Sequence, residues 1–317
     1  MSDLDLLVVG DLNPDVIVAA HQLTPEFGQV EQIVDRASLV LGGSAAITAV
    51  GAARLGLTVG LCAVLGDDDL GQLMTHRLID AGVDVRYLRV DPSVETGMSV
   101  ILDRGNDRSV LTATGSIVAL SPEDLDGLPD QPAAHVHASS YYLMGHSYRA
   151  ALPDAFRRFR AAGTHTSVDT NWDPDRVWDL EALLAQTDLF LPNEAEATAI
   201  GGSPILERAI QQVSHLGCDV AVKRGSQGAT ALMGGRGLRV SRVPAIDFVD
   251  AVGAGDTFNA GLLTGRLRGR DPATSLAMGV IAGTLSTAAV GGTEAELSLE
   301  AVESWLPSVA AIEVAFE

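Results

Sequence analysis

The stretch DAVGAGDTFNAG, Asp250–Gly261, runs from a glycine-rich turn straight into an apolar helical pattern. Gly253 and Gly255 can take backbone angles closed to other residues. Successive N–H groups then point into one concavity at the start of a helix expected from Asp256, a nest for an anion assisted by the helix dipole. Asp256 stands inside that nest, where a resting phosphate would be repelled. A carboxylate there is useful when a neutral hydroxyl must lose its proton while a phosphoryl group is in flight. The carboxylate takes the proton and the amides hold the migrating charge. Taken alone, VGAGD also reads as a plain N-cap before an apolar helix. A dinucleotide fingerprint is a poorer match, because Phe258 stands where the third glycine belongs and no parallel unit follows.

Outward from this turn, short buried strands alternate with amphipathic helices. LDLLVVGD, TVGLCAVLG, HVHAS, THTSVDT, TDLFLP and CDVAVKRG read as strands. SAAITAVGAARLG reads as a helix capped by Ser44 and stopped by Gly56. DDLGQLMTHRLIDAG, YRAALPDAFRRFRAAG, VWDLEALLAQ and ILERAIQQVSHLG follow as helices. Three more helices are expected at Asp256–Arg268, Pro272–Ala289 and Ser298–Leu306. The alternation predicts an α/β fold: a doubly wound, mostly parallel sheet with helices on both faces. VIVAA and QVEQIVDRASLVL, the hairpin at TGMSVILD and RSVLTAT, and a later hairpin at TALMGG and RGLRVSRV read as additional strands. The half-polar strands within about 14–40 and 96–115 do not suit the main sheet. They predict a small antiparallel lid inserted into a single domain spanning 1–317.

The chain has 317 residues, 41 acidic against 21 basic, and a net charge of −20. Nucleic acid is a poor partner for such a surface, and FRRFR (Phe156–Arg160) reads as a solvated helix face. Two distant cysteines, Cys62 and Cys218, fit a reducing cytoplasm. The acidic start lacks signal-peptide character, and the apolar run Leu55–Gly66 is too short to span a bilayer. Lys223 is the sole lysine, and AVKRGSQG is not a Walker loop. A nucleotide triphosphate must be handled another way.

Four further stretches carry chemistry. LPNEAEA opens a helix after a strand. Asn193, Glu194 and Glu196 there are clustered hard oxygens that suit Mg²⁺, and equally an N-cap with first-turn glutamates. KRGSQG places Gly225 and Gly228 where backbone can approach a nucleotide, or turn a hairpin. GDLNPD sets Asn13 and Asp15 two apart, and LGGSAA sets Gly42–Gly43 before a helix. Both suit a polyhydroxyl ligand, or ordinary turn chemistry. His135 and His137 share a strand face as a metal pair without a third ligand. Trp172 lies between Asn171 and Asp173, to line a ligand or simply to pack.

Together, in order along nearly the whole chain, GDLNPD, GGSAAITAVGAARLG, Thr96–Gly97, VDTNWDP, PNEAE, KRGSQG and DAVGAGDTFNAG resemble the ribokinase-like carbohydrate kinases of the phosphofructokinase-B type. The resemblance implies ATP and Mg²⁺ as cofactors and a sugar or sugar acid as acceptor. Asp256 would be the base, with Gly253 shaping the turn and the Ala254, Gly255 and Asp256 amides forming the anion hole. Asn193 and Glu196 would organise Mg²⁺ through water. Lys223, Gly225, Ser226 and Gly228 would border the nucleotide, and Asp169 and Asn171 would lie near the transferring phosphate. Asn13, Asp15, Gly42 and Gly43 would bind sugar hydroxyls. Asp250, with the Val252 backbone and the VGGT turn, matches a monovalent-cation (K⁺) site of some members. The inserted strands would cover the sugar and pair two subunits as a homodimer. One departure stands out: Ile47 occupies a position where the family usually has an asparagine that reaches the sugar. A nucleoside kinase on the same scaffold is the nearest rival, although aromatic residues are only 4% of the chain. A non-catalytic sugar-binding regulator would be expected to lose Asp256 or the glycines, and both are present.

Overall fold

A computed structural model describes residues 3–21, 23–104, 108–171, 173, 175–241, 243 and 246–316. The chain opens with β1 (Leu6–Val9), whose alternate side chains enter two different cores. Leu6 and Val8 join one and Leu7 and Val9 the other. A strand with no polar face must be covered on both sides. The same split recurs in β4 (Val59–Gly66), where Leu61, Ala63 and Leu65 oppose Cys62 and Val64. Between these strands lie β2 (Asn13–Ala19), β3 (Arg36–Gly42) and α1 (Ser44–Arg54). After β4 come α2 (Asp69–Asp80), β5 (Leu88–Asp91), β6 (Met98–Asp103), β7 (Arg108–Ala113) and α3 (Pro122–Asp126). The alternating half then runs β8 (His135–Ala138), α4 (His146–Ala161), β9 (His165–Val168), α5 (Glu181–Leu184), β10 (Leu189–Phe190), α6 (Glu194–Ile200), α7 (Leu206–Ser214) and β11 (Asp219–Lys223). It closes with β12 (Ala229–Met233), β13 (Arg236–Val240), α8 (Ala254–Leu267), α9 (Pro272–Ser286), α10 (Leu299–Trp305) and β14 (Ala311–Glu313).

The large sheet has the order β14-β13-β12-β11-β10-β9-β8-β1-β4-β5, parallel from β11 to β5 and antiparallel from β11 to β14. Residues of α1, α2, α8, α9 and α10 fill one core, and those of α3, α4, α5 and α7 the other. This is the expected doubly wound α/β arrangement. The second sheet, β3-β2-β6-β7, is separate. Its two hairpin pairs are antiparallel, but β2 joins β6 in parallel, Asp15 opposite Ser99. Ile17, Val40 and Ile101 from this sheet pack on Val252 of the glycine-rich turn.

Several local expectations shift. Ser44 does not cap α1: Gly43 is the N-cap residue, and the Asp11 carboxylate accepts from the Ser44 and Ala45 amides at 3.1 and 2.9 Å. The predicted strand from Gln29 forms only from Arg36, because residues 29–35 are exposed or nearly so and have no face to bury. The helix expected from Val177 shrinks to Glu181–Leu184. The Asp173 carboxylate takes the Val177 and Trp178 amides at 2.6 and 3.0 Å, and Trp178 itself is left-handed at φ 54°. Ser298 caps the last helix rather than starting it. Helix α8 begins at Ala254, two residues before Asp256. β5 and β14 are short edge strands with weak apolar signal. Trp172 lies outside the described residues, as do 105–107 in the β6–β7 connection.

Gly42 shows how tightly the neighbouring strands β2 and β3 of the small sheet pack. A Cβ on it would sit 2.2 Å from the Asp15 carboxylate carbon. Gly42→Ala is therefore expected to destabilise the fold by about 1–3 kcal/mol through overpacking and to displace Asp15. Thermal melts read the first effect, and a crystal structure of the variant reads the second.

Candidate active site

The carboxyl ends of the parallel strands bring the motifs together, as open α/β sheets do at their ligand crevice. Asp11 follows β1, Ser140 follows β8, Asp169 follows β9, Asn193 follows β10 and Lys223 ends β11. Facing them is the start of α8. Gly253 is its N-cap residue at φ 73°, and a Cβ there would lie 2.4 Å from Gly292 Cα and 3.2 Å from Ile47. Only glycine fits that backbone in that space. The turn spends one of the three expected anion-hole amides, since Ala254 N–H donates to Ala251 O at 3.3 Å. Thr257 N–H begins the helical ladder by donating to Gly253 O at 2.9 Å. The Gly255 and Asp256 amides lie between, in the first turn, where an α-helix offers no internal acceptor.

The Asp256 side chain is half-buried and hydrogen-bonded to Ser44. Burial first, then repulsion from Asp169 and Asp11, pushes its carboxyl well above the usual carboxylate range, against the opposing pull of Lys223. Asp169 is fully buried and anchors the centre of the site. Its Oδ2 accepts from Lys223 Nζ, and from Asn259 Nδ2 at 2.6 Å. Burial raises the Asp169 carboxyl, but the Lys223 ammonium and the Asn259 amide hold it below its ordinary value. Asn171, left-handed at φ 56°, donates to Ser140 Oγ at 2.9 Å and Ser44 Oγ at 3.3 Å. It thus links Asp256's hydroxyl partner to the loop after β8.

On one side of this turn lies a cavity of about 420 Å³, walled by Lys223, Gly225, Ser226 and Gly228 as expected, and by Ala254 and Gly255. The rest of its wall is mainly apolar: Val243, Ile246, Phe248, Phe258 and Val280, with Thr284 and Thr287. Such a wall suits a flat heteroaromatic ring. Apart from Phe258, which lies within the signature, none of these residues belongs to a motif, so sequence reading passes over them. Exposed Phe248 beside the signature is the one signal that could have been followed.

Asn193 and Glu196 form a reciprocal cap. Asn193 Oδ1 accepts from Glu196 N–H, Glu196 Oε2 from Asn193 N–H, both at 2.9 Å, and Glu196 Oε1 accepts from Asn193 Nδ2 at 2.6 Å. Glu194 turns outward to Arg224 at 3.0 Å. The N-cap reading of LPNEAEA is therefore realised. The cation reading still fits electrostatically: burial and the Asp169 charge push Glu196 up to about 7, against the opposing pull of Lys223 and the Asn193 hydrogen bonds. Asp169, Glu196 and Asp256 act together on that one ammonium. Among the described residues no group of three or more His, Cys, Asp or Glu side chains could cage a metal. A Mg²⁺ ion bound through waters and phosphate oxygens suits a site short of positive charge and lacking a closed cage.

On the other side, the small sheet presents Asn13 and Asp15, both buried. Asn13 Nδ2 donates to Asp15 Oδ1 at 2.8 Å and reaches Ser99 Oγ at 3.5 Å, and Ser99 meets Thr112 at 3.0 Å. Burial and the nearby Asp11 charge push Asp15 up to about 7. Gly43, at φ 90°, has Asp11 O 2.7 Å from where a Cβ would be. Ile47 is buried against Gly253 and Gly292, so the usual asparagine position serves packing here. Asp250 ties its turn together by accepting from Val252 N–H at 2.9 Å and Gly291 N–H at 2.8 Å.

The two strand histidines have a different use. His135 Nε2 and His137 Nδ1 share Ser167 Oγ at 2.7 and 2.8 Å, and burial depresses His137 to about 4. They form a neutral buried network under the site. The arginines of the FRRFR segment reach Asp154, Asp130 and Asp188, as a solvated helix face does. Among the described residues no helix is long and apolar enough to cross a membrane.

The sequence model of the pfkB family carbohydrate kinases matches residues 3–298. A fructokinase of Klebsiella pneumoniae is 33% identical over 274 residues, covering 80% of this chain and 88% of that one. An ATP-dependent ribose-1-phosphate kinase of Halopiger xanaduensis is 30% identical over 310 residues, covering 95% and 97%. A ribokinase II of E. coli, solved in complex with ATP and Mg²⁺, superposes with a TM-score of 0.84 at 25% identity, covering 97% of this chain and all of that one. The chain belongs to the pfkB family of carbohydrate kinases.

Proposed function

We propose that this protein transfers the γ-phosphoryl group of ATP to a hydroxyl, of the terminal CH₂OH type, on a sugar or sugar acid. The observation that carries the reading is the start of α8. One carboxylate, Asp256, and two first-turn amides, Gly255 and Asp256, stand between an apolar nucleotide-sized cavity and the polar Asn13–Asp15 floor. The acceptor oxygen attacks the γ-phosphorus, its proton passes to the Asp256 carboxylate, and the bond from phosphorus to the ADP oxygen breaks. A carboxyl raised by burial is basic enough to take that proton. The Gly255 and Asp256 amides hold charge on the moving phosphoryl group. Mg²⁺, when bound, supplies charge neutralisation and geometry at the phosphates, and Asn193 and Glu196 would hold its waters. Asp250 and the Val252 backbone would take a monovalent cation such as K⁺.

The small sheet is the proposed lid, resting on Val252 and excluding water from the transfer. Its outer face carries exposed Leu39 and Leu111, which supports pairing of two subunits through this surface. The acidic, cysteine-poor chain fits a cytoplasmic enzyme.

Asp256→Asn should lower kcat by roughly 10²–10⁴-fold, the usual worth of a general base, while calorimetric affinities for ATP and acceptor stay close to the parent's. Near-normal turnover would remove Asp256 from the base role. Chelation of Mg²⁺ should abolish ADP release and re-addition should restore it. A phosphorylation screen over pentoses, hexoses, keto-deoxy acids, inositols and nucleosides identifies the acceptor. Turnover of nucleosides alone would replace the sugar reading. Light scattering of the parent against Leu39→Glu/Leu111→Glu tests the pairing: the parent is expected as a dimer and the variant as a monomer.

A further inference from the structure

Lys223 is the only lysine in the chain, and its side chain is only 13% exposed. It emerges from the end of β11 into the wall of the nucleotide cavity, and no other basic residue lines that cavity among the described residues. Its neighbour Arg224 is committed to Glu194 on the outer side. The Lys223 ammonium lies 3.7 Å from the point where a Cβ on Gly255 would stand, beside the amides left in the first turn of α8. Nζ is hydrogen-bonded to Asp169 Oδ2, and that same oxygen also accepts from Asn259 Nδ2. Asn259 sits one helical turn beyond Asp256 in an otherwise apolar stretch of α8. Its own Oδ1 is buried with no partner. A half-satisfied buried amide is costly to keep, and its single side-chain bond goes to the carboxylate that steers the lysine.

We propose that Lys223 is a catalytic cation that moves from Asp169 onto the transferring γ-phosphoryl group, and that Asn259 is the positioning residue that holds Asp169, and through it Lys223, on line. This rests on the kinase reading above and deepens it. The ammonium is ion-paired with Asp169 and also feels the Glu196 and Asp256 charges. A phosphoryl group arriving beside Gly255 competes for it. Asp169 stays compensated during the exchange because Asn259 remains hydrogen-bonded to it. Bond making and breaking are unchanged: the proton goes to Asp256, the phosphoryl to the acceptor oxygen and the electron pair to ADP. Lys223 supplies charge where an arginine finger supplies it elsewhere.

Calorimetry with Mg²⁺·ADP and with the Mg²⁺ complex of the non-hydrolysable β,γ-imido analogue of ATP isolates the γ-position without any acceptor. In Lys223→Met, affinity for the analogue should fall roughly tenfold or more, while ADP affinity stays within about threefold, as expected for loss of one charge-assisted contact. Equal losses for both nucleotides, or none, overturn the assignment. Removing the lysine strands a buried carboxylate and can impair folding, so Asp169→Asn/Lys223→Met provides a neutral pair that should show the same selective loss. For Asn259, kinetics of Asn259→Leu should show kcat reduced about tenfold with little change in KM for the acceptor, and little further loss when added to Lys223→Met. An undiminished loss in that background would mean Asn259 does not act through Lys223. If the parent protein phosphorylates nothing in the acceptor screen, the kinase reading fails, yet the calorimetric comparison still decides whether Lys223 meets a γ-phosphate.

Discussion

The close approach of Gly253 to Gly292 is the constraint on which the site depends. With a Cβ at either position the turn would collide, with Gly292 Cα at 2.4 Å in one case and with Ile47 at 2.7 Å in the other. Because both are bare, the chain can enter α8 through a left-handed residue and start the helix at Ala254. That start places Asp256 in the first turn, where its amide has no helical acceptor and its carboxylate projects from the helix end. A helix begun three residues later, on the plain N-cap reading of VGAGD, would make Asp256 the cap and turn its carboxylate back onto its own backbone. The turn thus converts a structural residue into a chemical one.

Electrostatics follow from that geometry. Asp11, Asp169, Glu196 and Asp256 meet at the ends of four different elements, and burial disfavours each charge. Asp11 is compensated by the α1 amides and Asp169 by Lys223 and Asn259. Only Asp169 is held down; burial still leaves Asp11, Glu196 and Asp256 raised. An acidic centre of this kind favours arrival of a divalent cation with a polyphosphate over either partner alone, since each offsets the charge of the other. The neutral His135–Ser167–His137 network beneath contributes dipoles without adding a competing cation.

The large architecture was legible because strand runs with no polar face have a single physical solution, cover on both sides. The signature around Asp256 was legible because glycines next to a helix start leave few alternatives. What stayed hidden depended on distant pairings. Asp11 caps α1 from 33 residues away, and local rules assign that task to Ser44. Asn259 looks like one polar residue in an apolar helix until the end of β9 brings Asp169 to it, 90 residues earlier in the chain. Val243, Ile246 and Phe248 of the apolar wall belong to no regular element, so periodicity offers no handle on them. The stretch from Gln29 alternates like a strand yet has nothing to pack against, and pattern without burial does not make a strand.

Ile47 connects the acceptor side to this constraint. Its tip fills the space beside Gly253 and Gly292, so a position where the family resemblance leads one to expect a polar side chain here stiffens the turn that carries Asp256. On the proposed reaction, hydroxyl recognition would then fall on Asn13, Asp15 and Ser99, all on the small sheet, with Ser99 hydrogen-bonded onward to Thr112 on β7. That sheet contacts the turn through Ile17, Val40 and Ile101 on Val252, and Val252 in turn donates to Asp250. On the proposed reaction, the strands that recognise the acceptor are also those that press on the anion site. A poorly fitting acceptor would leave Asp15 misplaced and the sheet badly seated on Val252, so selection among alcohols would be read in turnover more than in binding.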